Sequence, residues 1–386
     1  MCIRDRNEPF SSPNTDAAGM GDVLRRLMAR PNVASKEAWV RSYDHEVIAQ
    51  SVIKPFCGVD HDAPGDAAVI APLHTGTQGA VISNGIAPRY SDIDAYSMAA
   101  ACVDEALRNA VCVGVDLDMI AGLDNFCWPD PVESKKTPDG RYKLAQLVRA
   151  NRAIDEVCRA YRLPCISGKD SMKNDVTMHG EKISVPPTIL FSLIGNHKDV
   201  RMAVSSDFKH PGDHIYLLGE THQELGASEL AYMFRDECSG GIGGEVPRIN
   251  PERNLTMYRA LTSAMSQGLV RSAHDCSDGG LAVALAECCF GSGTGACVDI
   301  SPLESDCNHL DEWGALFGES MGRILVSVAP EHSNSFVAAM EGNSCSRMGS
   351  VEGNDEIMVN YGENEVLRAS IGGLKQAWQG SLGGDA

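Results

Sequence analysis

The segment SGKDS at residues 167–171 combines residue types that bind phosphate and magnesium. Gly168 permits a tight turn and a close approach to a ligand, and successive backbone N–H groups in such a turn can bind an anion. Lys169 adds positive charge, Asp170 offers a carboxylate oxygen for Mg²⁺, and Ser171 offers a hydroxyl. The spacing is not that of a Walker A loop. We interpret the segment as a loop that contacts phosphate, with an ordinary charged surface turn as the alternative.

A second pair of oxygen-bearing side chains lies in an Ala-rich stretch, residues 94–113, whose pattern predicts a helix. Glu105 and Asn109 are four residues apart and therefore share one helix face. A carboxylate next to an amide oxygen suits Mg²⁺, which takes oxygen ligands. The alternative is a solvent-exposed helix face on which Glu105 and Asn109 simply form a hydrogen bond.

A third segment, LDNFCWPDP at residues 123–131, follows a predicted strand. Ligands in open sheets often bind beyond the carboxyl ends of strands. Asp124 and Asn125 could therefore accept hydrogen bonds from a nucleotide, and Trp128 could form a wall of its pocket. Equally, Asp-Asn and Pro-Asp-Pro are typical of turns, and Trp128 could belong to the core.

The segment HDCSDGGL at residues 274–281 begins a predicted helix. Asp278 can cap this helix, and Gly279 and Gly280 allow a close backbone approach. Because an open helix N-terminus attracts anions, these three residues form a candidate second anion site, with a purely structural cap as the alternative. Arg323 could contact phosphate, although an ion pair with a carboxylate is the simpler interpretation.

Both strands and helices are needed to position these residues. The pattern predicts strands at 66–73, 79–83, 117–121, 164–166, 188–194, 214–218 and 323–328, and helices at 94–113, 144–161, 255–269, 280–289, 335–340 and 373–378. The order lacks a strict β-α-β alternation, which indicates an α+β fold. We expect a disordered tail at residues 1–35, a first domain at 36–205 and a second domain at 206–380.

Composition excludes several classes of function. The net charge of −19 disfavours nucleic-acid and anionic-membrane binding, because both need clustered Lys and Arg. None of the 14 cysteines forms a Cys-x-x-Cys pair, so we expect reduced thiols in a cytoplasmic protein rather than a zinc site. No apolar run approaches the roughly 20 residues of a membrane span, and no signal peptide is visible.

Taken together, the segments resemble the second half of the phosphoribosylformylglycinamidine synthase family, from about Trp39 to Trp378. The resemblance is carried by six segments, namely YDHEV at 43–47, PGDAAV at 64–69, DEALRN at 104–109, LDNFCWPDP at 123–131, SGKDSM at 167–172 and HDCSDGGL at 274–281. It implies a PurM-like α/β N-terminal domain, whose mixed sheet joins a pseudo-dimeric barrel, and an α+β C-terminal domain of the AIR synthase type.

The resemblance also implies an ATP-dependent carbon–nitrogen ligase of purine biosynthesis. ATP phosphorylates the amide oxygen of formylglycinamide ribonucleotide, and glutamine-derived ammonia then displaces phosphate to give the amidine. The site residues that match the family are Glu105, Asn109 and Asp170 for Mg²⁺, Asp124, Gly168 and Lys169 for ATP, and Ser171 for substrate or phosphate.

This sequence departs from the family pattern in ways that imply partners. Lys169 stands where the short form of the family has Asn, so Lys169-Asp170 is similar to the long form. The Glu-Ser-His-Asn-His-Pro signature of the first half is missing, as is a glutaminase. The catalytic residues are therefore unassigned in this chain, because the family's catalytic His belongs to the missing N-terminal half. We expect that half and a glutaminase as partners, besides a small ribonucleotide substrate.

Two alternatives remain open. The chain could be a non-catalytic half that binds a nucleotide for structural reasons, as the second half does in the full-length form of the family. It could also be another ATP-using enzyme of the AIR synthase superfamily, such as aminoimidazole ribonucleotide synthase, a thiamine-phosphate kinase or a selenophosphate synthetase. Those enzymes lack the combination of segments 123–131 and 167–172.

Overall fold

A computed structural model describes residues 8–13, 16–43, 47–306 and 310–382. Asp44–Glu46, the centre of the YDHEV segment, lie outside the described residues. The helices are α1 Ala17–Met28, α2 Glu37–Val40, α3 Ala95–Cys112, α4 Gly140–Tyr161, α5 Glu229–Phe234, α6 Pro251–Ser266, α7 Gly280–Phe290, α8 Glu312–Phe317, α9 Ser333–Ala339 and α10 Ile371–Gly380.

The first sheet has six strands in the order β1-β4-β5-β10-β6-β7. The strands of the first half of the chain are β1 Ser51–Ile53, β2 Phe56–Cys57, β3 Ala63–Pro64, β4 Ala68–Ile70, β5 Gly79–Ile86, β6 Asp116–Cys127, β7 Cys165–Ser171, β8 Asp175–Met178, β9 Glu181–Ser184 and β10 Thr188–His197. Strand β10 runs antiparallel to both β5 and β6, whereas β6 and β7 are parallel. The sheet is therefore mixed, as predicted, and β7 forms its edge.

The second sheet has seven strands in the order β12-β14-β11-β15-β13-β16-β17. Its strands are β11 His214–Leu218, β12 Ser272–Asp275, β13 Gly295–Asp299, β14 Ile324–Val328, β15 Cys345–Glu352, β16 Glu356–Tyr361 and β17 Asn364–Ser370. Only the β13–β16 pair among these is parallel. The domain boundary that we propose near residues 205 and 206 lies in the connection between the two sheets.

Helix α3 is the centre of the first half. Asp94 caps it by accepting hydrogen bonds from the backbone N–H groups of Tyr96 and Ser97, at 3.2 and 3.3 Å. Its Ala-rich surface lets strand β5 approach closely, because a Cβ on Gly85 would stand 2.3 Å from the Cys102 carbonyl oxygen. The helix is buried on nearly all sides, and Glu105 is one of its few partly exposed residues.

A buried carboxylate joins the two halves. Asp104 of α3 accepts hydrogen bonds from Tyr258 at 2.9 Å and from Asn254 at 3.0 Å, both on α6. It also accepts from the Tyr161 hydroxyl and pairs with Arg108, which is fully buried. A buried carboxylate needs such partners to offset the loss of hydration. The two halves therefore share one polar network as well as one apolar core.

The expectation of a disordered tail at residues 1–35 is wrong for Ala17–Met28, which form α1. Leu24, Leu27 and Met28 are completely buried in the core of the second half. Their spacing of three and four residues makes α1 amphipathic, a signal that is weak in so short a helix. The helix is ordered by packing on β17 and α10 rather than by its own propensity. Among the described residues, no helix has the length and apolar character needed to span a membrane.

Candidate functional site

The segment at residues 167–171 is strand β7 and not a loop, which corrects the sequence-based interpretation. The strand continues from Cys165 and lies parallel to β6, so Asp124 stands opposite Gly168, and Phe126 opposite Asp170. Its backbone N–H groups therefore alternate along a strand and do not converge on one anion as a nest would. The polar sequence does not predict a strand, because a strand at an exposed sheet edge does not need apolar side chains.

Asp124 and Gly168 are in close contact across this pair of strands. A Cβ on Gly168 would stand 2.4 Å from Oδ1 of Asp124, so any larger residue here would have to displace that carboxylate. Burial, followed by the charge of the nearby Asp170, raises the pKa of Asp124. The structure thus brings three of the predicted site residues, Asp124, Gly168 and Asp170, onto one face of the sheet edge.

Lys169 and Ser171 alternate with those residues and share the opposite face of β7. The Lys169 ammonium donates a hydrogen bond to the Ser171 hydroxyl. Both side chains lie at the open edge of the first sheet. An ammonium and a hydroxyl in contact form a small donor group for an anionic ligand that reaches this edge.

Trp128, in contrast, belongs to the hydrophobic core. It is completely buried, and its indole N–H donates to the Lys143 carbonyl oxygen at 3.1 Å. Its ring lies 5.9 Å from that of Phe126. The interpretation of Trp128 as a wall of a nucleotide pocket is therefore replaced by the packing alternative.

Glu105 and Asn109 face the carboxyl end of β5. The Ile86 N–H donates to Oε2 of Glu105 at 2.8 Å, and the Asn109 amide donates to the Asn84 carbonyl oxygen at 3.0 Å. The side-chain oxygen Oδ1 of Asn109 is buried without a hydrogen-bond partner. Burial, with the charges of Asp275 and Asp278, raises the pKa of Glu105 well above its usual value.

The structure does not bring Glu105 and Asn109 to Asp170. Glu105 lies over β5 and Asp170 on β7, and two strands, β10 and β6, separate them. Three strand spacings amount to roughly 14 Å, whereas Mg²⁺ binds its ligands at about 2 Å. One ion therefore cannot contact the whole predicted set of metal ligands.

Other acidic residues surround Glu105 instead. Asp66, His274 and Asp275 place one ligand atom each within 4.8 Å of one another. Oδ1 of Asp66 accepts the Asp275 N–H at 3.1 Å and lies 2.8 Å from Nδ1 of His274, while Oδ2 of Asp66 is buried without a partner. Burial opposes a charge on His274, but Asp66 and Glu287 outweigh burial and raise its pKa. Analysis of the sequence missed Asp66, although PGDAAV carried part of the family resemblance.

The N-terminus of α7 is occupied by a carboxylate. Oε1 of Glu319 accepts hydrogen bonds from the N–H groups of Gly279 at 2.8 Å and Glu229 at 2.9 Å. Burial, with the charge of Glu229, raises the pKa of Asp278 to about 7. Burial, with the charge of Asp278, raises the pKa of Glu319 to about 8. Because Glu319 already accepts from the Gly279 N–H, the geometry argues against the candidate anion site at Asp278, Gly279 and Gly280.

Arg323 has a structural role. Its guanidinium is fully buried and donates to the carbonyl oxygens of Ser320 at 3.0 Å and Gly318 at 2.5 Å. It therefore holds the turn before β14 together, in place of the phosphate or carboxylate contact that the sequence suggested.

A cavity of about 220 Å³ lies where the two halves meet, beside Asp278 and Glu319. Its lining includes Lys36 and Arg89 on one side and Asp278 and Glu319 on the other. The Tyr90 hydroxyl donates to Oε2 of Glu319 at 2.8 Å and so connects the first half to the second. Sequence analysis missed Lys36 and Arg89, because no short motif marks them.

Two family models match this chain. The N-terminal domain of AIR synthase related proteins matches residues 64–195, and the C-terminal domain matches residues 210–362. Together they cover more than half of the chain, and each covers most of one of the two sheets.

The chain is also similar to a curated relative, the phosphoribosylformylglycinamidine synthase subunit PurL of Alkaliphilus metalliredigens (strain QYMF). The two are 32% identical over 366 residues, which cover 94% of this chain and 45% of the relative. The chain spans about half the length of the curated relatives it matches.

Solved structures show the same fold. T. maritima PurL complexed with FGAR matches with a TM-score of 0.65 and 15% identity, over 92% of this chain and 52% of that one. T. maritima PurL complexed with ATP matches with a TM-score of 0.59 and 16% identity, over 92% and 53%.

Proposed function

Because the chain belongs to the AIR synthase related family, with both of the family's domains present, we propose that it forms the second half of a phosphoribosylformylglycinamidine synthase. In this reaction ATP phosphorylates the amide oxygen of formylglycinamide ribonucleotide, and ammonia from glutamine then displaces phosphate. The similarity to PurL over 94% of the chain supports this proposal. One structural observation carries it: Asp124, Gly168 and Asp170 meet at an open sheet edge.

That edge is suited to form one wall of a composite active site. We assign Asp124 to hydrogen-bond donors of ATP, and Gly168 to the close approach that this contact needs. Lys169 and Ser171 are placed for phosphate oxygens, since one carries a positive charge and the other a hydroxyl. Strand β7 is the outer strand of its sheet, and we propose that a partner supplies the remaining contacts.

The chemistry explains why such a site needs cationic and hydrogen-bonding groups. The amide oxygen is a poor leaving group until it is phosphorylated, and phosphoryl transfer spreads negative charge over the phosphate oxygens. Lys169 would offset part of this charge, and fixed contacts to Asp124 and Gly168 would hold the nucleotide in line.

An exposed apolar face of the first sheet supports the missing first half as a partner. Along β5 and β10, the side chains that point away from α3 include Ile82, Ile86 and Ile194, which are 45%, 41% and 48% exposed. Sheets in soluble proteins usually cover such a face. We propose that the corresponding sheet of the first half covers it and brings its own residues to β7. A glutaminase would supply ammonia to the assembly.

We propose that Mg²⁺ is held by Asp66 and Asp275, whose ligand atoms lie within 4.8 Å of each other, and that Glu105 and Asn109 contact it through the waters that Mg²⁺ keeps. Oδ2 of Asp66 and Oδ1 of Asn109 are buried oxygens without partners, which suits ligands of a hard cation. Burial raises the pKa of Asp275. The charge of Arg108 partly opposes this rise, and the charge of Asp66 adds to it. A divalent cation would offset the mutual repulsion of these carboxylates and bind nucleotide phosphates beside them.

This interior cluster favours a second function for the same chain, a nucleotide site with a structural role. All four residues of the cluster belong to this chain, whereas the β7 edge is incomplete without a partner. The two functions are compatible, because the clusters lie on different strands. The free thiols among the described residues also support a cytoplasmic location, where cysteines stay reduced.

Reconstitution tests the proposal. The chain is mixed with the first half of a related synthetase and a glutaminase, and formation of the amidine is followed with ATP and glutamine. We expect product only when all three proteins are present. An assembled complex that binds ATP and forms no amidine would leave only the structural nucleotide site.

A further inference from the structure

His274 is held between two carboxylates that come from different parts of the chain. Its Nδ1 lies 2.8 Å from Oδ1 of Asp66, and its Nε2 lies 3.0 Å from Oε2 of Glu287. Asp66 lies between β3 and β4 in the first half of the chain, whereas Glu287 belongs to α7 in the second half. His274 lies in β12 and is only 5% exposed. One buried imidazole ring therefore connects an acidic residue of each half.

These contacts leave His274 without a nitrogen atom for a metal ion. An ionised carboxylate only accepts hydrogen bonds, so each ring nitrogen donates one and carries a proton. A histidine that binds a metal needs an unprotonated ring nitrogen. Asp66, His274 and Asp275 place one ligand atom each within 4.8 Å of one another. Because the ring is already engaged on both sides, only the two carboxylates of this group remain as ligands.

The hydrogen bond from His274 occupies one oxygen of Asp66 and leaves the other oxygen without a partner. Oδ1 of Asp66 accepts from the ring and also from the Asp275 backbone N–H at 3.1 Å. Oδ2 is buried and has no hydrogen-bond partner among the described residues. Rotating the carboxylate out of this orientation would give up both bonds to Oδ1, which is costly inside a protein. The ring thus keeps the carboxylate in one orientation, in which Oδ2 stays available to a cation.

We propose that His274 is a positioning residue for the metal site: it orients the Asp66 carboxylate, and Glu287 in turn fixes the ring. This role rests on the proposed Mg²⁺ site and adds to it two side chains that are not ligands. Outer partners of this kind hold metal ligands in place, and their loss typically weakens metal binding about ten- to hundredfold. The segment HDCSDGGL does not reveal the role, because Asp66 lies 208 positions before His274.

Two substitutions of His274 separate its two hydrogen bonds. The amide nitrogen of Asn is bonded to Cγ, as Nδ1 of His is, so His274→Asn keeps a donor for Asp66 and loses the contact with Glu287. The amide nitrogen of Gln lies one atom farther out, near the place of Nε2, so His274→Gln keeps a donor for Glu287 and loses the one for Asp66. Both variants put an uncharged amide in the same buried place, so they differ mainly in which carboxylate they hold.

The test measures Mn²⁺ binding by the full chain without nucleotide. Mn²⁺ replaces Mg²⁺ because electron paramagnetic resonance counts the free ion directly. We expect His274→Gln to weaken Mn²⁺ binding about ten- to hundredfold, and His274→Asn to stay close to the wild type. His197→Ala is the matched control, since His197 is also buried, at 3% exposed, and its ring contacts the Val113 carbonyl oxygen at 3.0 Å. This control should lower stability in urea and leave the Mn²⁺ affinity unchanged.

Glu287→Ala extends the test, because it keeps the ring and removes its second anchor. It should weaken Mn²⁺ binding less than His274→Gln does, and wild-type affinity in this variant would count against the proposal even if no His274 variant folds. Wild-type affinity in His274→Gln, or equal losses in His274→Asn and His274→Gln, would overturn it. A wild-type chain that binds no Mn²⁺ would instead contradict the proposed metal site, and the positioning role would fall with it. Because the readout is metal affinity, none of these outcomes depends on amidine formation.

Discussion

Gly168 lies directly opposite Asp124 on the neighbouring parallel strand, and the Asp124 carboxylate occupies the space that a side chain at residue 168 would need. A Cβ at this position would stand 2.4 Å from the carboxylate oxygen Oδ1. The pair connects the segment that resembles a phosphate loop with the segment that resembles a nucleotide contact. It explains physically why a glycine occupies an otherwise polar strand.

The first prediction concerns this contact. Gly168→Ala should displace the Asp124 carboxylate, because the new methyl group cannot share its position. We expect little change in the free energy of unfolding, measured by urea denaturation, because the carboxylate at the end of a partly exposed side chain can move. We expect weaker ATP binding by the assembled synthetase, because the displaced carboxylate no longer lies where the nucleotide needs it. Gly372→Ala is the control, since a Cβ there meets open space. Equal ATP affinity of the two variants would show that the position of the Asp124 carboxylate does not matter for nucleotide binding.

The second prediction concerns the polar network that joins the two halves. Asp104→Ala should leave the fully buried Arg108 without its closest ion-pair partner and two tyrosine hydroxyls without an acceptor. Breaking a buried pair on one side costs about 3–5 kcal/mol, which urea denaturation would detect. Asp118→Ala, which removes an exposed partner of Arg259, should leave the stability almost unchanged. If both variants lost similar amounts of stability, the network would not join the two halves as we propose.

The third prediction concerns pH. Burial raises the pKa of Glu319 from 4.5 to about 8 in the folded chain. The folded state therefore holds this proton more tightly than the unfolded state. The stabilisation from the neutral carboxyl is fully present below about pH 4.5 and is lost as pH rises towards 8.

Glu319→Gln should consequently flatten the decline in stability between about pH 5 and 8. Thermal unfolding at several pH values would measure the slope for the wild type and for the variant. Glu363→Gln, at an exposed position in the β16–β17 turn, serves as the control and should leave the slope unchanged. An unchanged slope in Glu319→Gln would mean that this carboxyl does not titrate in the expected range.

The fourth prediction separates the two proposed ligand sites. In the isolated chain, Asp66→Asn should weaken Mg²⁺-dependent nucleotide binding by about 1–3 kcal/mol, because it removes a charged partner. Asp170→Asn should leave that affinity unchanged and weaken nucleotide binding only in the assembled synthetase. Calorimetry with and without Mg²⁺ makes the comparison. If Asp170→Asn also weakened nucleotide binding by the isolated chain, Asp170 would have to belong to the interior metal site.

Much of the fold was predictable because periodic patterns of apolar residues mark its helices and strands. The helix at residues 94–113 and the strand at 188–194 were recognised from pattern alone, and α3 and β10 confirm them. The sequence predicts a loop at residues 167–171, because the edge position of β7 permits polar residues there. Helix α1 was missed because its order comes from packing against distant strands.

The sequence suggests candidate site residues one by one but does not show which of them lie together. Glu105, Asn109, Asp124 and Asp170 were all singled out, yet sequence spacing does not reveal that β10 and β6 separate the first pair from Asp170. In the same way, the contact of Asp66 with Asp275 joins residues that are 209 positions apart. Such proximity is a property of the sheet order, which no local motif contains.

The central claim is that this chain takes part in phosphorylating an amide oxygen, and one isotope measurement tests it most directly. Formylglycinamide ribonucleotide labelled with heavy oxygen in the amide is incubated with ATP, glutamine, the missing half, a glutaminase and this chain. We predict that the released phosphate carries the label, and that omitting the chain or replacing Asp124 with Ala abolishes the transfer. Unlabelled phosphate alongside amidine formation would contradict the account.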